Sequence, residues 1–359
     1  MKGLVGLLVC ALFGCGALAT TTLGAGSATA GLAFIKHNTT PETVWVANAN
    51  GTGQREVGPG GDDLLSPNGE LVAAFRLAAN GPGLLIYHVS GGTVRLAPKL
   101  NGVLGITPVA WSPDSRYLAV SIPDSSNPLG AGNAKLEVID TTTGKVTATV
   151  PGIVQGASFA PSGGDRLVFG LTQSPSQDLN PVENLHTLSL GTETTTQATV
   201  TYNGRSFNPV WGSRGIVFAE YTRRGHDNTL RGFKLPAYHL KLLNGTHVRS
   251  IASPNPSALQ TGLIPLAVSA DGEHLIADFR GVFTSLAYTV NLATNHYAIV
   301  KGRKDGVQPW GISRDGRRLL ISYGGLVPQS SRATIATIPF GGGKPTTLVK
   351  GGEEPSWNQ

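Results

Sequence analysis

One short pattern recurs along the chain and leaves few folds open. An apolar run ends in a turn rich in Pro, Asp, Asn and Gly, and a second apolar run follows. The copies are LLSPNGELVAAF (64–75), AWSPDSRYLAVS (110–121), SFAPSGGDRLVFG (158–170), VWGSRGIVFAE (210–220), AVSADGEHLIADF (267–279) and GISRDGRRLLIS (311–322). Ser66, Ser112, Ala160, Gly212, Ser269 and Ser313 occupy equivalent positions, separated by 46, 48, 52, 57 and 44 residues. A period in this range, with strand-like runs in every copy, is that of a unit built from four strands.

The runs between copies supply the missing strands. After Ala74 come LLIYHVSGG (84–92) and TVRLAP (93–98), and after Val120 come KLEVIDTTTGK (135–145) and VTATVPG (146–152). The Ser-Gly-Gly and Thr-Thr-Gly-Lys junctions are hairpin signals. Each unit is therefore a meander of strands A to D. The first ordered runs, GLAFIKHN (31–38), TVWVANANGTGQ (43–54) and REVGP (55–59), read as strands B, C and D without an A. The chain ends on EEPSWNQ (353–359), which reads as an A alone, with Trp357 in the place of Trp111 and Trp211. The expectation is an all-β fold, a single β-propeller of seven four-stranded blades. Its ring is closed by the N-terminal strands B–D pairing with the C-terminal strand A, which removes long unpaired edges.

The SPNG, SPDS, SADG and SRDG turns, each followed by an apolar strand and then an I-Y-x-V or L-E-V-I-type strand, resemble the TolB-like (WD40-like) propeller repeat. The resemblance covers residues 31–359. It implies a propeller and a bacterial, exported protein; it does not specify an activity. The same repeat type builds the propellers of prolyl oligopeptidase-like enzymes. Their chemistry sits in a separate α/β-hydrolase domain, for which these residues leave no room, so it is not expected here. TolB itself is six-bladed with an extra N-terminal domain, and the seven-blade count departs from it.

The N-terminus supports export. MKGLVGLLVCALFGCGALA has one Lys, a short apolar run and then small residues, the pattern of a signal peptide over 1–19. Cleavage after Ala19 fits Ala17-Leu18-Ala19. Leu12-Phe13-Gly14-Cys15 fits a lipoprotein signal instead, with Cys15 lipidated; both readings stand. Residues 20–30 read as a flexible tether. Both cysteines, Cys10 and Cys15, lie in this leader, so the folded part has no thiol chemistry and no disulfide. The expected location is secreted, periplasmic or anchored by lipid to the outer face of a membrane.

The net charge is +6, but the basic residues are scattered without interleaved aromatics, so nucleic acid is not an expected partner. Asp114, Asp271, Asp315 and Asn68 sit where a short side chain accepts backbone N–H bonds in a turn, and Ser112 and Ser66 cap the same turn. Ser112 lacks the G-x-S-x-G context of a nucleophile elbow. The eight histidines show neither H-x-x-x-H spacing nor H-E-x-x-H, and packing roles are expected of them. No catalytic residue is assigned.

Function is expected at the mouth of the ring, on the segments that lead into each strand A. Two are acidic: GGDDLL (60–65) carries Asp62 and Asp63, and GEEPSW (352–357) carries Glu353 and Glu354. Closing the ring makes them neighbours, with Gln308 and Trp310 of VQPWGI (307–312) on the other side. These six residues form the candidate binding patch, for a cationic peptide segment, a sugar edge or a divalent ion. No other cofactor is expected. The function read from the sequence is non-enzymatic binding or scaffolding outside the cytoplasm, with a protein or an envelope glycan as partner and the chain as a monomer. The alternative is a propeller hydrolase or lyase acting on sugars or lactones through carboxylates at the mouth.

Overall fold

A computed structural model describes residues 29–36, 42–76, 83–91, 95–96, 106–123, 134–172, 182–199, 204–222, 237–255, 260–281, 285–302, 307–324 and 333–358. The leader, including Cys15, and parts of three long stretches between strands, 121–135, 171–184 and 222–240, which read as insertions in the repeat, lie outside them. All the regular elements among the described residues are β-strands.

The chain opens with β1 (Leu32–Lys36), β2 (Thr43–Ala47) and β3 (Arg55–Pro59). Next come β4 (Gly61–Leu65), β5 (Leu71–Arg76), β6 (Gly83–His88) and β7 (Arg95–Leu96), which form one four-stranded sheet. A second is made by β8 (Thr107–Trp111), β9 (Tyr117–Ile122), β10 (Lys135–Asp140) and β11 (Lys145–Pro151). Then follow β12 (Val154–Phe159), β13 (Arg166–Thr172), β14 (Glu183–Ser189), β15 (Thr194–Gln197), β16 (Gly204–Gly212), β17 (Gly215–Thr222), β18 (His239–Asn244) and β19 (His247–Ser250). Two more four-stranded sheets comprise β20 (Gln260–Val268), β21 (His274–Gly281), β22 (Ser285–Asn291) and β23 (His296–Ile299), and β24 (Gln308–Ile312), β25 (Arg318–Tyr323), β26 (Thr334–Pro339) and β27 (Thr346–Lys350). The last strand, β28 (Glu353–Trp357), pairs antiparallel with β1, with Leu32 opposite Trp357 and Ala33 opposite Ser356. The two ends of the chain thus share one sheet, ordered β28-β1-β2-β3.

The sheets correct the expected count. Five four-stranded sheets stand apart, not seven, and strands β12 to β19 form a single eight-stranded sheet. The reason is local. β15 covers β14 only from His186 to Ser189, so the start of β14 can meet another strand. Glu183 there pairs in parallel with Arg205 of β16. The Arg205 Nη2 and Nε groups donate to Glu183 Oε2 at 2.9 and 3.1 Å, and Nη2 also donates to Gln155 Oε1 at 2.6 Å. One backbone pair and one buried ion pair merge two sequence units into one sheet.

Alternating residues of each strand face the neighbouring sheets, and the core lies between sheets rather than at one centre. Ala33, Ile35, Val44 and Val46 of the first sheet pack against Val72, Ala74, Leu85 and Tyr87 of the second. The last sheet returns to the first: Leu320, Ile335 and Val349 pack with Leu32, Phe34 and Ala47. Phe34, Phe169 and Phe218 are among the largest fully buried side chains.

The recurrent turn is a hydrogen-bonded corner. Ser112 Oγ donates to Asp114 Oδ1 at 2.5 Å and accepts from the Tyr117 N–H at 2.8 Å, while Asp114 Oδ1 accepts from the Arg116 N–H at 3.2 Å. The same three bonds recur at Ser66–Asn68, Ser269–Asp271 and Ser313–Asp315. The following residue needs a left-handed backbone, which glycine supplies at Gly69, Gly272 and Gly316 (φ 70–71°) and Ser115 supplies at φ 62°. The Ser and Asp of the repeat are therefore committed to the corner and lie buried or bonded within it.

Candidate functional site

The first strand of each unit lines a common cavity. β28 packs against β4, β4 against β8, β8 against β12, β12 against β16, β16 against β20, β20 against β24, and β24 against β28. These strands enclose a cavity of about 600 Å³. That volume suits a small ligand or one side-chain-sized group.

Its strands are irregular on the same rung. Register shifts interrupt β4, β8, β12, β16, β20 and β24 against their second strands, and β28 against β1. At this bulge Asp62, Asn208 and Glu354 take φ values of 49°, 47° and 48°, and Gly156 takes 70°. A left-handed residue in a bulge re-aims the side chains beside it. Two of these costly positions carry the carboxylates of the acidic segments, and strained backbone of this kind concentrates at functional sites.

Four of the six residues expected at the mouth line the cavity: Asp62, Asp63, Glu354 and Trp310. Glu353 and Gln308 are not on its wall. Glu353 lies on β28 opposite Ile35 of β1, and Gln308 is exposed on β24 opposite Ser322. Asp62, at a left-handed position of the bulge, is exposed, whereas Asp63 beside it is buried and only 8% exposed. Asp63 Oδ2 accepts a hydrogen bond from Ser356 Oγ at 2.9 Å, and Ser356 Oγ accepts from the Leu65 N–H at 3.0 Å. Asp63 Oδ1 is buried with no hydrogen-bond partner among the described residues. Burial raises the Asp63 carboxyl well above its usual range; the Ser356 bond opposes this, and the charges of Glu354 and Asp62 reinforce it. Asp62 is raised as well, by burial and by Glu42.

The tryptophans are the part of the wall that the sequence did not assign. Trp111, Trp211 and Trp357 join Trp310, so four of the chain's five tryptophans line the cavity. The recurrence of Trp111, Trp211 and Trp357 one residue before the corner position was the available signal for those three. Trp111 Nε1 donates to Leu64 O at 3.0 Å and Trp310 Nε1 to Ser322 Oγ at 2.8 Å, whereas the buried Trp357 Nε1 has no partner among the described residues. Ser158 is a second latch between strands, accepting from the Trp211 N–H at 3.0 Å as Ser356 accepts from Leu65. No Lys, Arg or His lines the cavity among the described residues. His186 instead stacks on Phe169 at 6.0 Å, where burial lowers its pKa.

No family model matches the chain, and no curated protein matches it. Solved structures do. The β-propeller domain of the Trilobed protease from Pyrococcus furiosus, described as having an open velcro topology, aligns at 12% identity and TM-score 0.62, over 90% of this chain and 93% of that one. An oligogalacturonate lyase solved in complex with manganese aligns at 12% identity and TM-score 0.53, over 90% and 86% of the two chains. TolB from Acinetobacter baumannii aligns at 13% identity and TM-score 0.48, over 92% and 80%. At such identities likeness reaches the fold and not the site, and the fold it shows is the β-propeller.

Proposed function

We propose that this chain is an exported bacterial binding protein that takes part of a protein or envelope glycan into the cavity lined by its first strands. We also propose that the pairing of β28 with β1 closes those strands into a ring. The observation that supports the binding role most directly is the wall itself: three carboxylates and four tryptophans around about 600 Å³. Concave sites that combine apolar and aromatic surface with a few placed polar groups are the usual ligand sites of proteins. The serines and aspartates that repeat along the chain are used up in corners, which leaves the wall as the chemically distinctive surface. Among the described residues no helix is long and apolar enough to cross a membrane, and no group of three or more His, Cys, Asp or Glu is arranged for a metal ion.

The test is titration of the protein from Thr20 onward with short peptides and envelope oligosaccharides, read by tryptophan fluorescence. Leu266 lines the cavity, and Leu266→Trp would fill it. Saturable binding that this variant abolishes, with its melting curve retained, supports the reading. Binding that survives the variant places the ligand elsewhere. The mass of the mature N-terminus separates cleavage after Ala19 from lipidation at Cys15, and sedimentation tests the monomer.

One observation favours a second reading. Burial raises the Asp63 carboxyl well above its usual range, beside two other carboxyl groups, and paired carboxyls in unlike environments are the machinery of acid–base catalysis. The alternative is a hydrolase or lyase acting on sugars or lactones. Turnover of a polyuronate or lactone that Asp63→Asn removes would establish it over simple binding.

A further inference from the structure

We propose that the group taken into the cavity is an organic cation, a lysine or arginine side chain of a peptide segment. This rests on the cavity being the binding site and adds the chemical class of its occupant.

Three features of the wall converge on that class. The first is charge. Asp62, Asp63 and Glu354 face the cavity, and no basic residue does among the described ones, although the whole chain carries +6. The local sign is thus opposite to the global one. The second is an unmet acceptor. Asp63 is 8% exposed, Ser356 engages its Oδ2, and its Oδ1 is buried without a hydrogen-bond partner among the described residues. A buried polar atom left unpaired is costly and uncommon, and an N–H donor of a ligand removes that cost. The third is the aromatic lining. Tryptophan is the best aromatic face for a cation, and both basic side chains carry an apolar stem behind the charge. Trp111, Trp310 and Trp357 line the wall with Trp211, whose ring already has the Arg166 guanidinium 5.0 Å from its centroid, while Leu64, Leu266 and Pro355 supply surface for a stem.

An anionic ligand would meet three acidic side chains and, among the described residues, no basic one. A neutral sugar would find aromatic surface but bring no opposite charge to the acidic wall. An inorganic cation would make no use of the tryptophans. A guanidinium or ammonium on a stem uses all three features. Glucosamine units carry the same ammonium without the stem, which is why the peptide source is favoured.

The experiment uses the protein from Thr20 onward and five probes: Ala-Lys-Ala, Ala-Arg-Ala, Ala-norleucine-Ala, glucosamine oligomers and their N-acetylated counterparts. Binding is read by tryptophan fluorescence and calorimetry. A basic tripeptide is expected to bind at least about ten-fold tighter than the norleucine peptide, the scale of one desolvated cation–π contact combined with an ion pair. Asp63→Asn combined with Glu354→Gln keeps the shape of the wall and should erase that preference without abolishing the norleucine affinity. Retained selectivity in the double variant overturns the proposal, and so does equal or tighter binding of the norleucine peptide. Tight binding of glucosamine oligomers alone replaces the peptide with an amino sugar. Binding of only N-acetylated oligomers, blocked by Leu266→Trp, sinks the cationic class but leaves the cavity as the site. No signal from any probe to about 10 mM, past the weakest specific range, removes both.

Discussion

At the scale of single residues, identical chemistry has two fates. Ser112 and Asp114 read as a hydroxyl and a carboxylate near one another, and they are, at 2.5 Å. Four copies of the same bonds show that they hold a corner. Ser112→Ala should therefore cost about 1–2 kcal/mol in denaturant unfolding, because two buried bonds lose their partner, and leave ligand affinity unchanged. Lost affinity at unchanged stability would return Ser112 to the site. Asp63 is the opposite case. Its folded pKa is raised above its unfolded value, so it contributes stability that is complete at acid pH and is lost as pH rises from the ordinary carboxylate range through the raised folded value. Asp271 and Asp315 have the opposite sign. The serine hydroxyl of each corner holds them below their usual range, so their contribution is lost as pH falls through it. The Asp63→Asn protein should thus lose the decline in unfolding free energy above the ordinary carboxylate range while keeping the acid-side loss. An unchanged slope on the higher side would mean that Asp63 is not the group responsible. The corner role was legible because repetition reveals it. The burial of Asp63 beside an exposed Asp62 was not: both line the cavity, and which of two adjacent carboxyls is covered is set where the register shifts between Gly61 and Leu64.

At the scale of elements, the repeat predicted strand identity well and sheet partition less well. Among the described residues, the corners and first strands of the units lie where the apolar alternation and turn residues placed them. The merger of β12–β19 depends on Glu183 and Arg205, which sit outside the repeating pattern and signal nothing by spacing. Burial pushes the Glu183 carboxyl up to about 7 against the pull of Arg205. Its stabilising share is therefore full below the unfolded value and lost as pH rises through about 7. Glu183→Gln should flatten the slope of stability across that window. Arg205→Met leaves a buried carboxyl without its cation and should cost about 3–5 kcal/mol once that carboxyl is ionised, and less at pH 5. Equal losses at both pH values would show that packing of Arg205 over Phe207, with its guanidinium 4.9 Å from the ring, carries the effect instead.

At the scale of the whole molecule, the cavity and the meeting of the chain ends are one question. β28 contributes Glu354, Ser356 and Trp357 to the wall, and it is held by β1 on one side and by the Ser356–Leu65 and Ser356–Asp63 bonds on the other. No covalent link joins it to β1 across that sheet, so a ring closed there depends on the pairing of one five-residue strand. Deleting residues 353–359 would expose the edge of β1, uncover Phe34 and Leu32, and open the acidic side of the cavity. Such an edge also invites pairing with other chains. The truncated protein should lose its single cooperative thermal transition and its cavity binding, and it should associate at high concentration. A synthetic peptide of sequence EEPSWNQ should restore part of both the transition and the binding, since it can re-form the same sheet in trans. A chain whose ends are joined by a short Gly-Ser linker and reopened within the insertion at 124–130 tests the converse, because β28 and β1 are then continuous. It should melt at or above the parent temperature, the linked pairing no longer having a terminus from which to fray. Should the truncated chain instead melt and bind as the parent does, the terminal pairing would not be what closes the molecule, and the wall would owe nothing to β28.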